Sequence, residues 1–168
     1  RVGVVATSHK AINNLLEAVD EAADELGIEF RGWRKDTDGD NRYESDRIVC
    51  TKALDESEGP VLLRAGTAWY WAREEARQSV DVLLVDEAGQ VSLADAIAVA
   101  QGASSVVLLG DPQQLAHVSQ GTHALASGAS VLEHMLAGEH TIPPDRGVLL
   151  DVSWRMHPDV CDFVSRTM

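Results

Sequence analysis

Val82-Leu83-Leu84-Val85-Asp86-Glu87 decides the fold, because four consecutive apolar residues lead directly into two adjacent carboxylates. A continuous run of β-branched and leucine residues is typical of a strand buried on both faces, as parallel strands are in α/β proteins. Ligands of such sheets bind at the carboxyl ends of the strands. There Asp86 could hold Mg²⁺ through its waters, while Glu87 orients or deprotonates the water that attacks a terminal phosphate. The plain alternative is a strand that ends in two solvated acids.

A second apolar run, Val106-Val107-Leu108-Leu109, ends in the turn Gly110-Asp111-Pro112, and two amides follow, Gln113 and Gln114. The carboxyl ends of parallel strands meet at one edge of a sheet, so we expect this turn beside the acids of the first strand. An amide at that place can sense a γ-phosphate without carrying charge.

A third apolar run, Val148-Leu149-Leu150, is interpreted as a strand and leads into Ser153-Trp154-Arg155-Met156-His157-Pro158. Arg155 offers a forked guanidinium that could stabilise the charge developing during phosphoryl transfer.

In this order the three stretches resemble superfamily 1 helicases, in the branch that contains the nonsense-mediated-decay helicase. Asp86-Glu87-Ala88-Gly89-Gln90 corresponds to motif II (Walker B), Gly110-Asp111-Pro112-Gln113-Gln114-Leu115 to motif III, and Arg155-Met156-His157-Pro158 to motif IV. The whole chain is similar, more narrowly, to the helicase portion of bacterial proteins that fuse a RecB-like nuclease to such a helicase.

The resemblance implies an ATP-dependent DNA or RNA helicase or translocase with ATP and Mg²⁺ as cofactors. It assigns catalytic roles to Glu87, Gln114 and Arg155, and nucleotide binding to these three together with Asp86 and Asp111. Asp86 would be the Mg²⁺ residue, acting through water.

Val2 to Ala6 is predicted to be a strand, Thr7-Ser8-His9-Lys10 a turn, and the apolar positions from Ala11 to Leu26 a helix that stops at Gly27. In the resembled family this unit is motif Ia, which implies that Thr7, Ser8 and Lys10 contact the backbone of a single strand. Hydroxyls, a cation and a helix N-terminus suit a phosphate. Alternatively, Ser8 only caps the helix.

Gly66 and Thr67 correspond to motif Ic, a second implied nucleic-acid contact, and Thr67 could instead cap a helix that we expect to run to Gln78. The trio Trp69, Tyr70 and Trp71 suggests base stacking. Consecutive residues point in different directions on a helix, however, so core packing is favoured for at least one of the rings.

Short apolar runs at residues 47–52 and 61–64 are interpreted as minor strands. Residues 92–101 and the segment from Ser130 to Gly138 have capping-box spacing and predict helices. Pro158 suits a first helical position, so a further helix is expected over residues 158–167.

A formal charge of −13 and a pI near 4.7 argue against a broad basic face that binds nucleic acid by electrostatics alone. A local groove shared with a second domain remains compatible with this charge. Two cysteines give no disulfide framework and suit a reducing compartment. Without a long apolar segment or a signal peptide, the chain is expected to be cytoplasmic, with no membrane partner.

The predicted fold is an α/β RecA-like P-loop NTPase domain, a mostly parallel sheet flanked by helices. No Gly-Lys-Ser or Gly-Lys-Thr occurs, and the chain opens at Arg1 directly before a strand. We therefore expect residues 1–168 to be part of a first RecA-like motor domain that lacks its N-terminal strand and Walker A loop, with residues 157–168 leading toward an absent second domain.

Such a fragment is expected to be inactive alone. The implied partners are single-stranded DNA or RNA and the second RecA-like domain, and the narrower resemblance adds a fused nuclease. A P-loop ATPase that is not a helicase and a non-catalytic interaction module remain alternatives, and the sequence does not distinguish DNA from RNA.

Overall fold

The computed structural model describes residues 1–36, 42–57, 59–112, 129–139, 141–150, 152 and 156–167. Its centre is a six-stranded sheet in which every pairing is parallel. The strands are β1 (Val2–Val5), β2 (Gly32–Lys35), β3 (Ile48–Thr51), β4 (Leu63–Ala65), β5 (Val80–Val85) and β6 (Ala103–Leu108). They lie in the order β3-β2-β4-β1-β5-β6.

The described residues form five helices: α1 (His9–Leu26), α2 (Ala68–Trp71), α3 (Leu93–Ala100), α4 (Val131–Leu136) and α5 (Pro158–Thr167). Single 3-10 turns follow α2 at Glu74–Ala76 and β5 at Ala88–Gln90. The predicted α/β RecA-like fold, a parallel sheet flanked by helices, is confirmed.

Hydrophobic cores lie on both faces of the sheet, because successive strand residues point to opposite sides. On one face, Ile12 and Leu16 of α1 pack with Val4 of β1. On the other, the α2 residues Tyr70 and Trp71 and the α3 residue Val99 join Val5, Leu83 and Val85. Strand β5, paired on both sides and with apolar residues on both faces, is the interior strand that its run of apolar residues predicts.

The predicted helix ends are confirmed where a cap defines them. Gly27 closes α1 in the left-handed conformation at φ 63°, which a glycine adopts without penalty. The Ser92 hydroxyl accepts a hydrogen bond from the Asp95 amide at 3.0 Å, and the Ser130 hydroxyl accepts one from the Glu133 amide at 3.0 Å. Both serines therefore begin their helices as their capping-box spacing indicates.

Two expectations about elements were wrong, and one strand was not foreseen. The helix after Thr67 ends at Trp71 and does not reach Gln78, whose φ is positive. The minor strand expected at residues 61–64 is found as the three-residue β4, which lies inside the sheet between β2 and β1. Strand β2 was not foreseen, because Arg34 and Lys35 make Gly32–Lys35 resemble a surface segment.

The second wrong expectation is the strand at Val148-Leu149-Leu150. These three residues have no strand assignment and are 82%, 58% and 88% exposed. A strand needs a neighbour for its backbone hydrogen bonds, and no described strand supplies one here. The inference that Arg155 follows a buried strand therefore loses its basis.

The chain divides into two compact units, Arg1–Met135 and Leu136–Met168. The first contains the whole sheet. The second contains α5, along which Val160 and Phe163 are exposed. No helix in the described ranges is both long and apolar enough to cross a bilayer.

Candidate functional site

Asp86 and Glu87 lie directly after β5, at the carboxyl edge of the sheet. The Asp86 amide donates to the Val5 carbonyl at 2.9 Å, which extends the pairing of β5 with β1 by one residue. Both acidic side chains are half-buried. The strand therefore delivers two adjacent carboxylates to a point that is anchored to the centre of the sheet and still open to solvent.

The backbone at Glu87 turns sharply. Glu87 adopts the left-handed conformation, at φ 54° and ψ 39°, and its amide donates to Asp86 Oδ1 at 3.0 Å. Residues with a Cβ rarely adopt this conformation, because the Cβ approaches the neighbouring carbonyl. The turn orients the Asp86 carboxylate and directs Glu87 away from the strand axis.

The turn after β6 packs against the turn after β5. The Leu109 amide donates to the Val85 carbonyl at 2.9 Å, and the Ala88 amide donates to the Leu109 carbonyl at 2.8 Å. The expectation that the Gly-Asp-Pro turn lies beside the acids of the first strand agrees with this geometry.

Two glycines make this close approach possible. A Cβ at Gly89 would collide with the Asp111 carbonyl oxygen, and a Cβ at Gly110 would lie 2.8 Å from the Ala88 nitrogen. Gly110 also has a φ of 155°. Side chains at either position would separate the two turns, so Gly89 and Gly110 set the distance between the turn after β5 and the turn after β6.

Asp111 is exposed at this same edge, and its nucleotide-binding role stays a prediction. Gln113, Gln114 and Arg155 lie outside the described residues, so their assigned roles also stay predictions. Within the described ranges, no three His, Cys, Asp or Glu side chains are grouped to hold a metal ion. Mg²⁺ at Asp86 would therefore need waters and other ligands, as the water-mediated assignment implies.

The residues assigned to nucleic acid lie at the same edge. Thr7, Ser8 and Lys10 follow β1 and are exposed, while Gly66 and Thr67 follow β4, the neighbour of β1. The Ser8 hydroxyl accepts a hydrogen bond from the Ala11 amide at 3.1 Å and so caps α1. Thr67 occupies the capping position of α2 but makes no side-chain capping bond.

The carboxyl edge has an uneven distribution of charge. Residues 1–16 and 59–73, which carry β1 and β4 with the turns after them, contain no Asp or Glu. The turns after β5 and β6 carry Asp86, Glu87 and Asp111. A chain with a net charge of −13 thus keeps acids out of the two segments assigned to a phosphate backbone and places them where a divalent cation is expected.

Sequence reasoning missed Arg34, which is only 2% exposed at the end of β2. Its guanidinium donates to Cys50 Sγ of β3 at 3.3 Å and lies 3.3 Å from His9 Nδ1 at the start of α1. A buried cation connects three elements that were treated separately. A topological signal was present, since a helix between parallel strands requires a strand soon after its end.

A parallel sheet with acids after one strand and a Gly-Asp turn packed beside them defines the RecA-like class of P-loop NTPases. A family model described as an AAA domain matches residues 1–134 of the chain. The chain belongs to this family, which consists of P-loop NTPases related to superfamily 1 helicases. ATP binding with Mg²⁺ and nucleotide hydrolysis are general to such domains. No curated protein matches the chain.

Proposed function

We propose that this chain is part of an ATP-dependent helicase or translocase of superfamily 1, in the branch of the nonsense-mediated-decay helicase. Glu87 activates the attacking water, and Asp86 binds Mg²⁺ through water. Gln114 and Arg155 respond to the γ-phosphate. The narrower part of the proposal is that the longer protein resembles bacterial fusions of a RecB-like nuclease with such a helicase.

The observation that carries the proposal is the contact between the turns after β5 and β6. Gly89 and Gly110 bring the Asp111 backbone against the residues that follow Glu87. A residue that senses the γ-phosphate must lie close to the residue that activates water, because both act on the same phosphoryl group. Gln114 follows Asp111 by three positions in the sequence, which supports its assignment to this group.

The side of β6 that faces away from β5 could pair with a further strand. Strand β6 pairs with β5, and no other described strand pairs with it. Val106 and Val107, which point to opposite faces, are 38% and 40% exposed. We propose that a parallel strand carrying a Gly-Lys phosphate-binding loop pairs here in the longer protein, with β6 between it and the strand that Asp86 follows.

The single strand is proposed to cross the turns after β1 and β4, where Lys10 and Thr67 are available to phosphates. The turn after β1 lies next to β5 and the turn after β4 lies one strand further, so movement of the strand and hydrolysis would share one sheet edge. We also propose that a second RecA-like domain completes both sites.

The test is ATP hydrolysis by the longer protein, measured with and without single-stranded DNA, single-stranded RNA and blunt duplex DNA. The proposal expects at least one single strand to raise kcat several-fold and the duplex to raise it less. Hydrolysis that no nucleic acid changes would favour an ATPase that is not a helicase. If Mg·ATP is neither bound nor hydrolysed, the chain is an interaction module.

A further inference from the structure

Trp69 is held in an exposed position by two buried neighbours. Tyr70 and Trp71 are 4% and 0% exposed, and their rings lie edge to face with centroids 5.0 Å apart. Trp71 Nε1 donates to the Val4 carbonyl at 2.9 Å, which ties α2 to β1. Tyr70 packs so closely on Gly66 that a Cβ there would lie 2.7 Å from its ring.

The Trp69 side chain, by contrast, is 83% exposed. It begins the first turn of α2, two residues after Thr67, at the carboxyl edge of the sheet. Because its neighbours fix the backbone of α2, the ring is presented from a rigid element. Binding to a rigidly presented ring loses little conformational entropy.

The charge around Trp69 indicates which partner suits the ring. Residues 59–73 contain no acid, and the exposed Arg73, four positions after Trp69, lies 3.6 Å from the Glu75 carboxylate just beyond this segment. The exposed Lys10 lies in the first turn of α1, directly after the turn that follows β1. An exposed aromatic ring in a segment that carries cations and no acid, at the sheet edge assigned to a single strand, suits a partner that presents flat bases.

We propose that Trp69 is a base-stacking residue of the single-strand site, with its ring against a nucleobase whose phosphates pass the turns after β1 and β4. This inference rests on the proposed function, since it requires a single strand at this edge. Every base has a π-face, so the contact would add affinity without sequence preference.

The test compares binding of a fluorescein-labelled single-stranded oligonucleotide by the longer protein with Trp69 and by its Trp69→Ala, Trp69→Leu and Trp69→Phe variants. Loss of one stacked base is expected to weaken binding about 10-fold for the Ala and Leu variants. The Phe variant should retain much of the affinity. Leu26→Ala is the control, because Leu26 is 71% exposed at the end of α1 and far along the chain from either turn.

An oligonucleotide series with a single abasic position moved along the strand identifies the stacked base. One abasic position should weaken binding by the protein with Trp69 and leave binding by the Trp69→Ala variant unchanged. If that protein binds strands and the Ala variant matches it within two-fold, or if Leu substitutes fully for Trp, the stacking role is wrong. If no single strand is bound even with Trp69 present, the proposed function itself is wrong, and this inference fails with it.

Discussion

Glu87 combines a backbone conformation that disfavours side chains with the carboxylate that the mechanism needs. The left-handed conformation costs a residue with a Cβ about 1 kcal/mol, and strain of this kind persists where the surrounding structure enforces it. Here the bond from the Ala88 amide to the Leu109 carbonyl enforces the turn. The backbone at Glu87 is therefore less stable than a regular turn would be, at the position where the proposed chemistry requires a directed carboxylate.

This strain predicts an inverted order of stability for two variants. Glycine usually destabilises a structured position relative to alanine, but at φ 54° it removes the Cβ penalty. Glu87→Gly should therefore be more stable than Glu87→Ala by about 1 kcal/mol in urea unfolding. Alanine proving the more stable substitution would show that the turn relaxes and stores no strain.

Gly89 provides a second prediction at the scale of one residue. The Cβ of Gly89→Ala would meet a backbone oxygen, so the turn after β6 must move, with an expected loss of about 1–3 kcal/mol in stability and lower kcat for hydrolysis. Gly102→Ala is the matched control, since its Cβ would lie 2.6 Å from the Trp71 ring at the opposite end of β6. It should lose stability while the folded fraction keeps its kcat. Equal effects of both variants on kcat would remove Gly89 from the site.

Among the elements, those with local signals could be predicted from the sequence. Three helix ends are marked by capping hydrogen bonds that span only a few residues, at Ser92, Ser130 and Gly27. The apolar run before Asp86 predicts an interior strand. These features depend on neighbours in the chain, so no tertiary information is needed to find them.

Strand β2 and the length of α2 depended on tertiary contacts. Arg34 can be buried because its guanidinium donates hydrogen bonds to Cys50 and His9. Neither residue lies near Arg34 in the sequence. The helix α2 ends at Trp71, because the Trp71 ring is buried against the sheet and its Nε1 donates a hydrogen bond to the Val4 carbonyl. The same limit applies to the candidate site. Its acids were predictable from one run of residues, whereas the glycine contacts that join the two turns were not.

Tyr43 gives a prediction about how elements are held together. Its hydroxyl donates to Asp20 Oδ2 at 2.6 Å, which ties the segment before β3 to α1. Burial, followed by this bond to an acid, raises the pKa of Tyr43 well above its usual value near 10. The folded state thus favours the neutral phenol, so its contribution to stability is full below pH 10 and is lost as pH rises further.

Urea unfolding at pH 8 and at pH 11 tests this linkage with Tyr43→Phe as the comparison. The protein with Tyr43 should lose more stability between the two pH values than the Phe variant does. Identical losses would mean that Tyr43 does not carry the alkaline sensitivity.

At the scale of the whole molecule, a sequence without a phosphate-binding loop and with a large negative charge should bind nucleotides and nucleic acid weakly. Asp86 and Glu87 alone offer only a weak, water-mediated Mg²⁺ site, since tight nucleotide binding in this class uses backbone amides and a Lys. Negative charge also repels triphosphates and strands over about 10 Å at ordinary salt. The isolated 168-residue chain should therefore bind neither Mg·ATP nor a single strand tightly. Micromolar binding in calorimetry or fluorescence anisotropy would contradict the need for further segments.

The most direct test of the hydrolytic assignment is Glu87→Gln in the longer protein, with Mg·ATP binding and single-turnover hydrolysis measured on the same sample. Asp81→Asn is the matched control, because Asp81 is an exposed acid at the amino end of the same strand and its change removes the same charge. Glu87→Gln should keep the Kd for Mg·ATP within a few-fold and lower hydrolysis at least about 100-fold, as loss of a general base does. Asp81→Asn should change neither. Hydrolysis by Glu87→Gln at the rate of the Asp81→Asn control would contradict the account.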